Sequence, residues 1–257
     1  MFTPCDHPSF RHFSQAFTCF AVIGWLGMAQ FFAQTAQDFQ HYSVEDGLSQ
    51  STVFAITQDQ EGFVWVGTRH GLNRFDAYEF QAFHSQAEQE GGLINDDIRS
   101  LSYDSTRNCL WVGTIRGLTA FDPASQSFRA LWTDSVSPLS SLRINALLVD
   151  QNDAVWAGTE AGLFHLALGE TEFQLVDGTF FASVQCLYQD RKGILWIGTN
   201  GGLYQIAPSS PSAFVHTPHV TENLRPESEQ IRAIVEDEVG NLWIGTWEGL
   251  FVLDTSR

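Results

Sequence analysis

One eight-residue pattern recurs five times along this chain and constrains its fold more than any other feature. It reads Trp-x-Gly-Thr-x-x-Gly-Leu with Val, Ala or Ile at the second position, and successive tryptophans are 46, 45, 40 and 47 residues apart. The copies occupy residues 65–72, 111–118, 156–163, 196–203 and 243–250. Self-similarity at a period of about 40–50 residues is typical of propellers and solenoids. We therefore interpret the chain as a series of one repeated structural unit.

A short segment of alternating apolar and polar residues precedes each copy and ends at an aspartate. Alternation with a period of two and many β-branched residues predict a strand rather than a helix. Three residues before each tryptophan stands a Gly, Asn or Asp, and these types tolerate the positive φ of a tight turn. Those turn residues are Gly62, Asn108, Asp153, Gly193 and Gly240.

The aspartate that opens each turn is expected to accept a hydrogen bond from backbone N–H groups two residues on. The five are Asp59, Asp104, Asp150, Asp190 and Asp237. A residue that recurs at the same turn of every repeat is explained by the turn itself, so we interpret these carboxylates as structural rather than catalytic.

A third strand begins at each Gly-Leu pair, and a weaker fourth strand follows at residues 80–83, 128–131, 173–176 and 214–215. Four antiparallel strands in about 45 residues make one propeller blade. The predicted fold is thus an all-β propeller over residues 38–257, with five four-stranded blades. The repeated tryptophans are expected to fill the space between neighbouring sheets; they are Trp65, Trp111, Trp156, Trp196 and Trp243.

The fifth repeat has no fourth strand after residue 253, whereas residues 39–42 resemble the outer-strand segment 80–83 of the first repeat. If the ring closes, we expect residues 39–42 to pair beside residues 250–253 and complete the last blade. The sequence leaves open whether five blades close or form part of a larger ring.

Residues 1–36 do not fit the repeat. A polar start with Arg11 precedes an almost wholly apolar run at 16–29, and small residues follow at Ala33 and Ala36. This order predicts a secretory signal peptide that is cleaved between residues 33 and 37, and hence export. An uncleaved membrane anchor is the alternative, which the short apolar run disfavours.

The charge balance argues against two classes of partner. Lys and Arg total 13 against 30 Asp and Glu, a net charge of −17, so nucleic acid and anionic membranes should be repelled. Cys109 and Cys186 fall in non-adjacent blades, which predicts no disulfide between them, and Cys186 occupies a position that is Ala or Ser in the other repeats. No Cys or His spacing indicates a metal, and no cofactor is predicted.

Two consecutive patterns identify a family resemblance. Residues 42–49 read Tyr-Ser-x-x-Asp-Gly-Leu-Ser, and residues 59–76 read Asp-x-x-Gly-x-x-Trp-Val-Gly-Thr-x-x-Gly-Leu-Asn-Arg-Phe-Asp. Together they resemble the start of the two-component regulator propeller repeats of hybrid two-component sensors, notably of Bacteroidetes-type bacteria. The resemblance covers about residues 38–257.

The resemblance implies a periplasmic sensor region. In that family the repeats lie outside the cytoplasmic membrane, typically in two seven-bladed propellers followed by a sandwich domain, a membrane helix and a histidine kinase. Family members sense carbohydrate fragments, and a homodimer would form through the full-length sensor. This sequence holds five repeats and no kinase segment, so we expect no catalytic activity in the chain itself and contact with the membrane only through segments outside it.

The turns between second and third strands and the loops between blades should share one face, which we call the mouth. Planar guanidinium groups suit carboxylate or sulfate, and an indole can stack on a sugar ring, so we expect an anionic or polar oligosaccharide, or another small polar ligand, to bind there. The alternative is that the arginines pair with nearby acids and only brace loops. The candidate ligand-binding residues are Arg69, His70, Arg99, Arg116, Asn145, Glu160, Gln185, Asn200, Arg232 and Trp247.

Two other classes of function stay open at this point. A propeller-fold polysaccharide lyase or glycosidase would need a pair of carboxylates, and Glu160 and Glu248 are available on blades three and five. A scaffold that binds other proteins needs no chemistry at all. The fold alone does not discriminate, because propellers carry many functions.

Overall fold

The computed structural model describes residues 39–85, 92–129, 139–178, 183–208, 214–216 and 230–254. The chain divides into two compact units, residues 1–41 and residues 42–257. Of the first unit only residues 39–41 are described, and they form no regular structure. The predicted signal peptide at 1–36 lies outside the described residues. Within the part described, no helix is long and apolar enough to cross a membrane.

The second unit is built from antiparallel sheets that follow the repeat. A short 3₁₀ helix, Val44–Asp46, precedes them. Blade 1 holds β1 (Val53–Gln58), β2 (Val64–Thr68), β3 (Gly71–Phe75) and β4 (Phe80–Phe83). Blade 2 holds β5 (Ile98–Asp104), β6 (Cys109–Thr114), β7 (Gly117–Asp122) and β8 (Ser127–Arg129).

The remaining blades repeat this order. Blade 3 holds β9 (Ile144–Val149), β10 (Val155–Thr159), β11 (Gly162–Leu166) and β12 (Gln174–Leu175). Blade 4 holds β13 (Val184–Gln189), β14 (Leu195–Thr199), β15 (Gly202–Ile206) and β16 (Phe214–His216). Blade 5 holds β17 (Ile231–Glu236), β18 (Leu242–Thr246) and β19 (Gly249–Leu253). Within each blade every strand pairs with the next along the chain, so every sheet is a simple meander. The all-β propeller prediction is confirmed.

The first turn of each blade forms as the residue types dictate. All five predicted turn residues have positive φ, from 46° at Asn108 to 95° at Gly240. The carboxylate before the turn holds it, since Asp59 Oδ1 accepts from the N–H groups of Glu61 and Phe63, both over 3.0 Å. In blade 2 the turn is one residue longer, and Asp104 accepts from the N–H of Arg107 instead.

Neighbouring blades interlock through a glycine and a β-branched residue. A Cβ placed on Gly67 of blade 1 would lie 2.6 Å from Cγ2 of Ile98, the first residue of blade 2. The glycine therefore leaves the space that the next blade's inner strand occupies. The same fit recurs at the other three junctions between consecutive blades: Gly113 with Ile144, Gly158 with Val184 and Gly198 with Ile231.

The described residues form four hydrophobic cores, one at each junction between consecutive blades. The core between blades 1 and 2, for example, contains Trp65, Leu72, Ile98 and Val112. The tryptophans of blades 1 to 4 are each at most 4% exposed. Trp243 of blade 5 differs from the prediction: it is 38% exposed, and no sheet among the described residues packs on it from the far side.

The fifth sheet has three strands among the described residues, and residues 39–43 form no strand. The expectation that residues 39–42 complete this blade depended on a closed ring, and among the described residues no strand pairs beside β19. Tyr42 instead packs against rings of blade 1, 4.9 Å from Phe75 and 5.6 Å from Phe80 between centroids. Inner strands contact one another in the order β1, β5, β9, β13, β17, and β17 makes no contact of similar extent with β1.

The cysteines behave as small apolar residues. Cys109 and Cys186 are not joined by a disulfide, as the sequence predicts. Cys186 pairs with Gly198 across β13 and β14. The equivalent residues of the other blades, which also pair with the repeat's first glycine, are Ala55, Ser100, Ala146 and Ala233. Burial raises the pKa of its thiol to about 12.

Candidate functional site

The threonine of each repeat fixes the turn at the mouth. Thr68 Oγ1 donates to the carbonyl of Gly71 over 3.0 Å and accepts from the N–H of His70 over 3.0 Å. Every blade repeats this pair of bonds. The fixed frame leaves the two variable side chains at each tip free to differ, which is the arrangement expected of a recognition surface.

Backbone hydrogen bonds bring the loops between blades to the same face. The N–H of Ile115 donates to Asp97, that of Glu160 to Arg143 and that of Asn200 to Ser183. Each bond joins a tip to the residue just before the inner strand of the same blade. The tips and the starts of the inner strands therefore form one continuous surface, as expected.

One cluster of candidate residues lies where blades 1 and 2 meet. The guanidinium carbon of Arg99 lies 4.1 Å from the ring centre of Phe54, and that of Arg69 lies 6.0 Å from it. Arg99 Nη2 donates to Asp97 Oδ2 over 2.8 Å, and Arg99 Nε lies 2.7 Å from Oδ1 of the same carboxylate. Arg69 Nε is 3.9 Å from Asp97. Here the structure matches the alternative in which arginines pair with acids.

A second cluster lies where blades 4 and 5 meet and has a different electrostatic character. Arg232 Nη1 donates to Gln185 Oε1 over 2.7 Å, and its Nη2 donates to Gln230 Oε1 over 3.0 Å. The guanidinium lies 5.0 Å from the ring centre of Trp247, whose side chain is 70% exposed. Because both acceptors are neutral amides, they orient Arg232 without neutralising its charge.

The other candidate residues either contact a neighbouring blade or loop, or lie exposed at the tips. Asn145 Nδ2 donates to the carbonyl of Val184 over 2.8 Å and so braces blade 3 against blade 4. The rings of His70 and His84 lie 5.2 Å apart, and His84 Nδ1 is 4.0 Å from Asp96. Arg116, Glu160 and Asn200 lie exposed at the tips of blades 2, 3 and 4.

Several contact residues were not predicted from the sequence, namely Asp97, Gln230, His84 and Asp96. Asp97 and Gln230 flank the starts of inner strands β5 and β17, and comparison of these positions across the repeats would have drawn attention to them. His84 follows β4 and carried no sequence signal, because only the fold places it beside the tip of blade 1.

The opposite face holds a cavity of about 240 Å³ between blades 3 and 4. His165 lies in its wall and contacts Trp156, with 4.2 Å between ring centres and the rings tilted by 40°. Burial lowers the pKa of this imidazole below its usual value, which favours the neutral form. Asp150, also in the wall, accepts from Trp156 Nε1 over 2.8 Å. Among the described residues, no group of three or more His, Cys, Asp or Glu side chains is arranged to hold a metal ion.

Comparison with known proteins connects the repeat to a family. The family model described as "Two component regulator propeller" matches residues 47–70, 180–201 and 226–248. A histidine kinase, P4, of Formosa agariphila is 44% identical over 55 residues, which make up 21% of this chain and 4% of that protein.

Solved structures share the fold. The extracellular domain of a protein described as a one component system of B. thetaiotaomicron aligns with 25% identity and a TM-score of 0.65, over 87% of this chain and 29% of that one. The extracellular domain of a protein described as a hybrid two component system of the same organism gives 23% identity and a TM-score of 0.51, over 84% of this chain and 35% of that one. Virginiamycin B lyase of Staphylococcus aureus shares the fold at 11% identity with a TM-score of 0.55, over 80% and 70%.

This chain spans about a third or less of the first two of these structures and a small part of the kinase. The match to the family model falls on the repeat itself, because it includes the tips of blades 1 and 4 and the second strand of blade 5. Three of the five repeats, those of blades 1, 4 and 5, thus match the two component regulator propeller model, and the chain has an all-β propeller fold.

Proposed function

We propose that this chain is the extracytoplasmic ligand-sensing module of a two-component sensor and that it recognises a carbohydrate fragment at the mouth. The chain supplies recognition and no catalysis, and an attached kinase would transmit the signal. The family match and the relatives described as extracellular domains of a one component system and of a hybrid two component system support the sensor role and the location. The predicted signal peptide agrees with export.

The observation that carries the ligand assignment is the cluster of Arg232, Trp247, Gln185 and Gln230. An exposed indole offers a flat apolar surface to a sugar ring, and the guanidinium beside it offers fork-shaped donors to a carboxylate. Arg99 is a weaker candidate for binding a carboxylate, because its guanidinium already forms an ion pair with Asp97. The expected ligand is therefore an oligosaccharide that contains a uronate, with the carboxylate at Arg232.

Isothermal titration calorimetry with uronate-containing oligosaccharides tests this assignment. Arg232→Ala and Trp247→Ala should each weaken binding about tenfold, as expected for loss of one charged hydrogen bond or one stacking contact. Arg74→Ala is the matched control, since Arg74 stacks on Phe63 at 4.6 Å on the opposite side of blade 1. Affinities that match the unchanged protein in both mouth variants would rule the cluster out as the binding site.

The same samples separate sensing from catalysis. A lyase or glycosidase would release new reducing ends during incubation with the oligosaccharide, whereas a sensor module would return it intact. Glu160 and Glu248, the available carboxylates, lie on blades 3 and 5 with blade 4 between them. If cleavage occurs and Glu160→Gln abolishes it, the enzyme alternative replaces the sensor proposal.

A further inference from the structure

The cavity between blades 3 and 4 lies where these two blades depart from the repeat. Three positions of its wall hold alanine, whereas blade 1 has a larger side chain at each equivalent position. Ala154 stands in place of Phe63, and both Ala167 and Ala207 stand in place of Asp76. Blades 3 and 4 each contact a blade on both sides, so the wall belongs to the interior of the series.

Most of the wall is apolar. Leu195, Ile206, Leu168 and Pro208 line it, together with the indole of Trp156. Ligand sites in proteins are typically concave and apolar, with a few polar groups that orient the ligand. An apolar cavity of about 150 Å³ can hold benzene, so the 240 Å³ available here is enough for one ring with a short substituent.

A carboxylate in the wall supplies a negative charge. Asp150 Oδ1 accepts from the N–H groups of Asn152 and Ala154, whereas Oδ2 accepts only from Trp156 Nε1 among the described residues. A carboxylate oxygen can accept two hydrogen bonds, so Oδ2 can take one more donor. The equivalent carboxylates of blades 1, 2 and 4 are 7%, 0% and 5% exposed, but Asp150 is only partly buried.

The imidazole of His165 adds a second acceptor. No hydrogen bond joins its ring nitrogens to another described residue, and its ring contact is with Trp156. Burial lowers the pKa of this imidazole, and the neutral form has one donor and one acceptor nitrogen. The described wall contains no Lys or Arg, so a cationic ligand would meet no like charge in it.

We propose that this cavity binds a small organic cation, a primary amine whose apolar part is about the size of one ring. The ammonium group donates to Asp150 Oδ2 and to the acceptor nitrogen of His165, and the apolar part packs against Leu195 and Ile206. The carboxylate disfavours anions, so this ligand is opposite in charge to the uronate proposed for the mouth. The site lies on the other face of the propeller and does not depend on binding at the mouth.

An NMR titration with three probes of one size and different charge tests the proposal. The probes are benzylamine, which is a cation at neutral pH, benzyl alcohol and benzoate. The readout is the imidazole C–H resonances of His165, assigned with His165→Gln, which introduces the residue that blade 4 has at this position. Benzylamine should shift these resonances saturably and bind about tenfold tighter than benzyl alcohol, because a charged hydrogen bond is the stronger one. Benzoate should cause no shift.

Filling the cavity provides the matched variants. Ala167→Leu and Ala207→Leu each add volume to the wall and should weaken benzylamine binding at least tenfold. Ala124→Leu is the control, since Ala124 is exposed in the turn between β7 and β8 of blade 2, and binding should be unchanged. Urea unfolding checks that each variant is folded. The proposal is overturned if benzylamine gives no saturable shift, if benzyl alcohol or benzoate binds as tightly, or if both filled variants bind benzylamine as the unchanged protein does.

Discussion

The indole Nε1 of Trp65 donates a hydrogen bond to Asp59 Oδ2 over 2.8 Å, six residues earlier in the chain. All five blades repeat this bond at 2.8–3.2 Å. The same carboxylate holds the first turn through its other oxygen. One aspartate thus ties the hairpin turn to the side chain that fills the junction with the next blade, which explains why Asp and Trp recur together.

Replacement of Asp59 by Ala should destabilise the protein strongly. Asp59 is 7% exposed, and the change leaves the Trp65 indole N–H and two backbone N–H groups without their acceptor. We expect the free energy of unfolding, measured with urea, to fall by about 3 kcal/mol. Asp237→Ala is the matched control and should cost clearly less, since water can reach Trp243. Equal losses at both positions would contradict this account of the bond.

A methyl group at the glycine of an internal junction should be poorly tolerated. The added Cβ of Gly198→Ala would lie 2.5 Å from Cys186 Sγ and 2.6 Å from Ile231 Cγ2. Overpacking of this kind costs about 1–3 kcal/mol of unfolding free energy. Gly245→Ala, whose Cβ would meet only Ala233 at 3.7 Å among the described residues, should cost clearly less. Urea unfolding of the pair measures the difference, and equal stability of the two variants would exclude the interlock.

The thiol of Cys186 should be unreactive in the folded protein. Burial raises its pKa to about 12, so at pH 8 almost none is the nucleophilic thiolate. Iodoacetamide at pH 8, followed by digestion and mass spectrometry, should leave Cys186 unmodified in buffer and alkylate it in urea. Rapid alkylation in buffer would show that the junction between blades 4 and 5 opens readily.

Acid should weaken the end of blade 5. Hydrogen bonds, above all the one from the Trp243 indole, lower the pKa of Asp237 from 3.8 to about 2. A carboxyl whose folded pKa lies below its unfolded value stabilises the fold above about pH 4, and this contribution is lost as the pH falls to about 2. The indole N–H resonance of Trp243, assigned with Trp243→Phe, should shift with a midpoint near pH 2. A midpoint at 3.8 or above would contradict the bond.

The sequence by itself determined the repeated unit. Period-two alternation, a turn residue with positive φ and the Trp-x-Gly-Thr pattern are local requirements, so the first three strands of every blade and their turns could be predicted. The fourth strands were less certain, because they are short and pair along one edge only: β12 has two residues where four were predicted. The Asp–Trp bond could have been inferred from the constant spacing, which is six residues in four blades and seven in blade 2.

Only the tertiary structure decided how the units meet. Residues 39–42 resemble an outer strand in sequence, yet they form no strand. A strand needs the edge of a neighbouring strand to pair with, and a local sequence pattern does not show whether such an edge is present. At the mouth, the sequence predicted the same role for Arg99 and Arg232, whereas the structure distinguishes them. Arg99 is paired with the carboxylate of Asp97, while Arg232 donates to the neutral amides of Gln185 and Gln230 and keeps its charge for a ligand. Contacts between residues about 45 positions apart depend on how the blades pack against each other, and a local sequence pattern does not predict that packing.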